Sequence, residues 1–372
     1  MKKIILFSIL AFTLLGIIFL FFDNSQQKQI TSNYSIPVDI HLEILSKSEK
    51  FEDLFEQEQK ILLEGIYIGD IKKLKALPDG NIGIIDASTK KLNIFDSNGK
   101  YLKTIGGTGN GPGEYVYPTD FLLDDSLNFY ILDPPQMRLI RYNVSGKYQS
   151  SLNIDKYSEH MALFNTKLFL YSTISMLDRP SGYCLDIRNN KKEFEFAEPS
   201  GLLKSLIKKN NLSLSVNSNS MECYEGNIYL IHPYQYAIRE FNENGVLKRT
   251  ILCESKYFYP YDSTKQFNPL KVDPKQYFKS AVNGIKIFKN VIIISFIDII
   301  HNKVYFDFYS LSGSKLNIVS IELPSSKFNR NIYFPFFIDS RNSFYFYSFE
   351  NSGSNKTDIN PYIIKYKPLF IK

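Results

Sequence analysis

Residues 82–105, IGIIDASTKKLNIFDSNGKYLKTI, decide the fold. They read as three short strands. Ile82–Ile85 stops at Asp86, Lys91–Phe95 stops at Asp96, and Lys100–Ile105 follows the turn Asp96-Ser97-Asn98-Gly99. Asn and Gly tolerate the positive φ that a tight hairpin demands, so the turn has a mechanism. The same interval then returns. Asp86 precedes Gly99 by 13 residues, Asp133 precedes Gly146 by 13, and His232 precedes Gly245 by 13. A unit that recurs with its internal spacing intact marks a repeat architecture.

Working outward, a strand within Ile66–Leu77 completes the first unit as four strands. The second unit has strands at Asp120–Leu123, Asn128–Leu132, Met137–Tyr142 and Lys147–Leu152. A third, more degenerate unit covers Met161–Ala197, a clear fourth covers Ser220–Cys253, a fifth Ala281–Leu323 and a sixth Ile332–Phe370. Six four-stranded units predict an all-β, six-bladed β-propeller, with radial repetition leaving only short, protected edges. A seven-bladed ring with one unit hidden in the long intervals is the alternative. Ile36–Leu45 alternates strictly, with Ile36, Val38, Ile40, Leu42 and Ile44 on one face. It is expected to close the ring by pairing with the last unit. Ser48–Gln59 carries Phe51, Leu54 and Phe55 at helical spacing and reads as one or two helical turns.

The chain has 372 residues, 44% of them hydrophobic, with 26 Tyr and 30 Phe suited to half-buried strand surfaces. Its net charge of +6 is spread evenly and shows no clustered basic face, so nucleic acid is not an expected partner. Cys184, Cys223 and Cys253 have no CxxC spacing, which argues against a zinc or thioredoxin-like motif. Met1-Lys2-Lys3 precedes Ile4–Phe22, an apolar run of 19 residues that ends Phe19-Leu20-Phe21-Phe22 without a small-x-small cleavage site. A helix of that length spans about 28 Å, close to a bilayer core. Residues 1–22 therefore read as an uncleaved signal anchor, with a cleaved signal peptide as the alternative. Residues 23–35 read as a polar tether and residues 36–372 as the propeller. The lysines hold the N-terminus in the cytoplasm and place the body outside it, facing the periplasm or exterior.

Between the first two units runs LKTIGGTGNGPGEYVYP, residues 102–118. Its Gly109-Asn110-Gly111-Pro112-Gly113-Glu114-Tyr115 resembles the G-x-GPGE-aromatic signature of six-bladed β-propeller proteins common in Bacteroidetes, relatives of the NHL and TolB-like propellers. The frame FEDLFEQEQKILLEGIYIGDIKKL and the run DFLLDD…FYILDPPQMRLIRYNVSGKY are similar as well. The resemblance implies the propeller fold and export. It implies no particular reaction. Many members of that family look like lipoproteins, and this chain departs from them by lacking a lipid-accepting cysteine after its apolar run.

Few residues stand out as sites. The GNGPGEY loop is not a phosphate cradle, because Glu114 and Tyr115 follow the glycines where a P-loop needs Lys-Ser/Thr and a helix. It reads as a rigid crossover, or as a loop that sets the Glu114 carboxylate and Tyr115 at the central opening. Asp86, Asp133 and His232 end equivalent strands. They either form local turn hydrogen bonds or converge at one end of the ring, where oxygen ligands suit Ca²⁺. His41, His160, His232 and His301 are scattered, with no HExxH or GxSxG. No catalytic residue, metal ligand or cofactor is assigned. Two insertions break the rhythm. Ser200–Asn219 reads as a short amphipathic helix or a packed connection. Ser255–Ser280 is rich in aromatics, including Tyr257, Tyr259 and Tyr261, and reads either as a cap packed over one blade or as a binding surface, the best candidate for one in the chain. The function expected is a membrane-anchored, extracytoplasmic propeller that binds a protein, peptide or glycan. The alternatives are a lyase or hydrolase at the channel mouth, calcium-dependent or not, and a structural part of an envelope assembly.

Overall fold

The computed structural model describes residues 40–173, 179–199, 219–260, 279–322, 337–339, 341–348 and 360–371. Of two compact units, Met1–Ser35 lies outside the described residues, and Ile36–Lys372 holds everything that follows. The expected anchor Ile4–Phe22, its tether and residues 200–218 of the amphipathic insertion also lie outside them. Among the described residues no helix is long and apolar enough to cross a membrane.

Blade 1 forms as its pattern dictates. Its strands are Ile71–Ala76, Ile82–Asp86, Lys91–Phe95 and Tyr101–Ile105, paired antiparallel in chain order. The second strand is buried at every position, because neighbouring blades cover both of its faces. That is why it reads as a continuous apolar run instead of an alternation. At the turn, Asp96 Oδ1 accepts the N–H groups of Asn98 at 2.9 Å and Lys100 at 3.0 Å. The same chemistry recurs with Asn143 in blade 2 and Asn242 in blade 4.

Among the described residues six sheets are four-stranded and form a six-bladed propeller, beside one two-stranded pair in the crossover after blade 1. Blades 2 to 5 run 120–153, 160–196, 221–252 and 280–322. First strands meet first strands around the axis. His160–Phe164 lies beside Asp120–Leu123 and Met221–Tyr224, Met221–Tyr224 lies beside Ser280–Phe288, and Ile71–Ala76 lies beside Phe337–Ile338. These strands line a central channel. The apolar cores sit between blades. One joins Ile94 and Ile105 of blade 1 to Phe121 and Ile131 of blade 2 and Leu168 of blade 3. Another joins Phe306 of blade 5 to Phe344 and Phe346 of blade 6.

Closure corrects the expected N-terminal strand. Blade 6 contains Phe337–Ile338, Phe344–Ser348 and Tyr362–Pro368, and its outer strand is Phe55–Leu62, which pairs antiparallel with Tyr362–Pro368. The N-terminal side therefore does complete the last blade, but through a different segment. Leu42–Lys47 is a helix, braced by a Lys47–Glu43 ion pair at 2.6 Å, and among the described residues of the expected strand only Ile40 bridges Ile371. The expected helical turns shrink to the 3₁₀ turn Phe51–Asp53. The physical reason is position. Phe55–Leu62 is an outermost strand with five consecutive exposed residues, so it lacks the alternation that betrays a half-buried strand. Phe51 and Phe55 stack at 4.4 Å and pack edge-on against Phe346 and Tyr366, which seats the segment.

Candidate functional site

The crossover after blade 1 is held from within. Gly107–Thr108 and Glu114–Tyr115 form a short parallel pair. Tyr115 is fully buried; its hydroxyl donates to the Ile105 carbonyl at 2.5 Å and accepts the Leu92 N–H at 3.1 Å. Burial pushes that phenol up to about 12. Glu114 Oε2 accepts the Gly111 N–H at 2.8 Å, so the carboxylate turns into its own loop. Arg138 reaches the Glu114 carbonyl at 2.9 Å and ties the loop to blade 2.

Asp86 and Asp133 end the second strands of blades 1 and 2, His232 ends that of blade 4, and Asp298 ends that of blade 5. All four are buried and bound close by. Asp86 accepts N–H groups from Asp70 and Ser88 at 3.0 Å and the Thr89 hydroxyl at 2.6 Å. Asp133 accepts those of Val116 and Tyr117, both at 3.0 Å. These carboxylates pin the segments that lead into the first strand of their own blade. His232 Nδ1 accepts the Tyr234 N–H at 3.3 Å, which leaves Nε2 protonated to donate to the Thr173 carbonyl at 3.1 Å. Among the described residues no three His, Cys, Asp or Glu side chains stand close enough to hold a metal ion.

Two places are built differently. The first is a groove of about 820 Å³ between blades 4 and 5, walled by Tyr236, Leu252, Tyr257, Phe258 and Ile318, with Lys256 and Lys315 among its lining residues. Leu252 is 70% exposed. The aromatic wall is rigid: Tyr236 stacks on Phe258 at 4.3 Å, and Tyr257 stacks on Tyr305 at 4.6 Å. Beside it, buried Asp307 accepts the hydroxyls of Tyr236 at 2.5 Å and Tyr309 at 3.2 Å and the Lys315 ammonium at 3.0 Å. Burial pushes the Asp307 carboxyl up and the Cys253 thiol up to about 12. Of the expected aromatic surface, Tyr257 lines this groove. Tyr259 is half-buried nearby, its N–H bound to Ser280 Oγ at 3.0 Å, and Tyr261 lies outside the described residues.

The second is the channel. A cavity of about 320 Å³ is lined by Lys73, Lys75, Met161, Met221, Glu222 and Lys286, among others. Lys73 lies 3.2 Å from Asp120 Oδ2 and Lys75 lies 2.8 Å from Asp120 Oδ1. Farther along the first strands, Glu159 and His160 are buried with the two groups 3.9 Å apart. Glu159 Oε1 takes the Thr173 N–H at 3.1 Å, while Glu159 Oε2 and His160 Nε2 have no hydrogen-bond partner among the described residues. Burial and then the Lys73 charge push the imidazole down to about 3. The sequence signal for this cluster existed: three lysines at 72, 73 and 75 on an otherwise apolar strand. Its partners come from other blades, so no local pattern announces them.

Residues 35–365 match the family described as "Domain of unknown function (DUF4934)". No curated protein matches the chain. Among solved structures, a Bacteroides fragilis NCTC 9343 protein provisionally described as exported is similar with a TM-score of 0.58 at 12% identity, over 88% of this chain and 98% of its own. A DUF4221-family member from Bacteroides vulgatus ATCC 8482 reaches 0.60 at 11% identity, over 84% and 98%. A streptogramin B lyase reaches 0.48 at 11% identity, over 86% and 100%. At these identities the likeness is one of fold alone.

Proposed function

The chain belongs to that DUF4934 family, and we propose that its propeller is an extracytoplasmic binding module that captures a peptide or protein segment in the groove between blades 4 and 5. One observation carries this reading: Leu252, 70% exposed, faces an open groove with stacked aromatic walls. Exposed apolar surface set among rigid aromatics favours an apolar anchor from a partner, and Lys256 favours an acidic neighbour to it. Residues 1–22 serve as the membrane anchor and 23–35 as the tether in this reading, with the body facing the periplasm or exterior. The apolar run Ile4–Phe22 behind two lysines supports it. Kinship with NHL and TolB-like propellers rests on the GPGE-aromatic run.

A second reading, hydrolase or lyase chemistry at the channel, is favoured by the buried Glu159–His160 pair. It is the weaker one. An imidazole held at about 3 is a poor base at neutral pH, where a catalytic histidine needs a value near the working pH. The test is binding of the full chain to fluorescent peptide and glycan panels. Apolar–acidic peptides should bind, and Leu252→Glu and Tyr257→Ala should each weaken them by at least about tenfold. Equal binding by both variants removes the groove from the account.

A further inference from the structure

We propose that the central channel holds a second site, for a small aliphatic monocarboxylate, with its anionic head between Lys73 and Lys75 and its tail along Leu122, Met161 and Met221. This goes beyond the groove and does not depend on it.

Lys73 and Lys75 alternate on one strand, so both point to the same face, into the channel. They share a single carboxylate, that of Asp120, at 3.2 and 2.8 Å. Lys286 is matched by Glu222 at 2.8 Å. The three lysines and two carboxylates leave one positive charge in a cavity whose walls are otherwise apolar or neutral. Lys73 is buried and Lys75 and Lys286 are half-buried, so excess charge among them is incompletely hydrated, and one bound monoanion balances this set. Burial pushes Lys73 down to about 8, and the neighbouring Lys75 and Lys286 charges add to that, against the pull of Asp120.

Donors are also to spare. An ammonium has three N–H groups. Lys73 uses its donors on Asp120 and on Asn219 Oδ1 at 2.9 Å, and Lys75 on Asp120 and the Phe121 carbonyl. Among the described residues each keeps one donor for a carboxylate oxygen. The cavity of about 320 Å³ has room for roughly ten waters, which suits a short ligand. Met161 and Met221, both buried and both flexible, line the remaining space for an alkyl tail.

Calorimetric titration of the full chain with hexanoate, hexanamide and hexylamine tests this. Hexanoate should bind, while the neutral, isosteric amide and the cationic amine should not. Lys75→Met should weaken hexanoate at least about tenfold, and Lys75→Arg should restore it. The proposal is overturned if hexanamide binds as tightly as hexanoate, if no hexanoate binding is seen at tens of millimolar, or if Lys75→Met leaves affinity unchanged. Loss of hexanoate binding in Leu252→Glu would place the ligand in the groove and also overturns it. Should Lys75→Met fail to fold, the three-ligand comparison on the natural chain decides alone.

Discussion

Gly99 and Leu62 touch across the ring closure. The blade 1 turn rests on the end of the closing strand: Glu64 N–H donates to the Gly99 carbonyl at 2.9 Å, and a methyl group on Gly99 would overlap the Leu62 carbonyl oxygen. Gly99 also has φ +90°, where an L side chain is strained. The turn that defines the repeat is therefore also the buttress of the blade that joins the two ends of the propeller chain.

Gly99→Ala should cost about 2–4 kcal/mol, from backbone strain plus displacement of the closing strand. Gly80→Ala is the control. Gly80 has φ +85° but nothing within 4 Å of the added methyl, so it should cost only about 1–2 kcal/mol. Urea unfolding of both variants measures the difference. Equal losses would mean that the Leu62 contact contributes nothing.

The aromatic residue of the GPGE run should matter for stability and not for ligand capture. Tyr115→Phe removes the acceptor of the Leu92 N–H and the donor to the Ile105 carbonyl inside a fully buried site. A loss of about 1–3 kcal/mol is expected, with peptide and hexanoate affinities unchanged. A stable variant with lost binding would reverse that assignment.

Asp120 anchors two ammonium groups. Asp120→Ala leaves the buried Lys73 and the half-buried Lys75 without their counter-charge and should destabilise the chain by about 3–5 kcal/mol. A loss under about 1 kcal/mol in chemical denaturation would show that the lysines find other partners or water.

Acid should weaken the fold before the carboxylates titrate. Burial holds His160 at about 3 and His232 at about 4, against an ordinary value of 6.5. Below 6.5 the unfolded chain takes up protons that the folded chain refuses. Each histidine's contribution is therefore present above 6.5 and lost as pH falls. Between pH 7 and pH 5 the loss is roughly 2 kcal/mol per histidine. Asp307 and Glu159, whose carboxyls burial pushes up, act in the opposite sense. The comparison is therefore between the natural chain and His232→Gln, whose pH 7 to pH 5 loss should be smaller by about 2 kcal/mol. Identical losses would mean that His232 charges freely in the folded state.

How much was legible in the sequence depends on how local each feature is. Lys91–Phe95 and Asp120–Leu123 coincide with their predicted bounds, and most other predicted strands differ by one or two residues, because a strand buried on both faces and stopped by Asp or Gly carries its own signal. The turns at Gly99, Gly146 and Gly245 are local in the same way. Tyr257 was legible as an aromatic candidate, and it stands on the wall of the groove between blades 4 and 5. The Asp307 cluster and the lysine channel were not, since Tyr236 and Asp307 lie 71 residues apart and Lys73 and Asn219 lie 146 apart.

The amino-acid order by itself determined a propeller of six four-stranded blades, because repeat spacing, turn chemistry and apolar runs are properties of short segments. Only the tertiary structure decided which segment closes the ring and which charges meet on the axis. Phe55–Leu62 is a strand because Tyr362–Pro368 offers it an open edge and Phe346 and Tyr366 seat its neighbours. Lys73 and Asp120 meet because blades 1 and 2 stand side by side around a common channel. Both depend on surfaces that exist only once distant segments have been brought together.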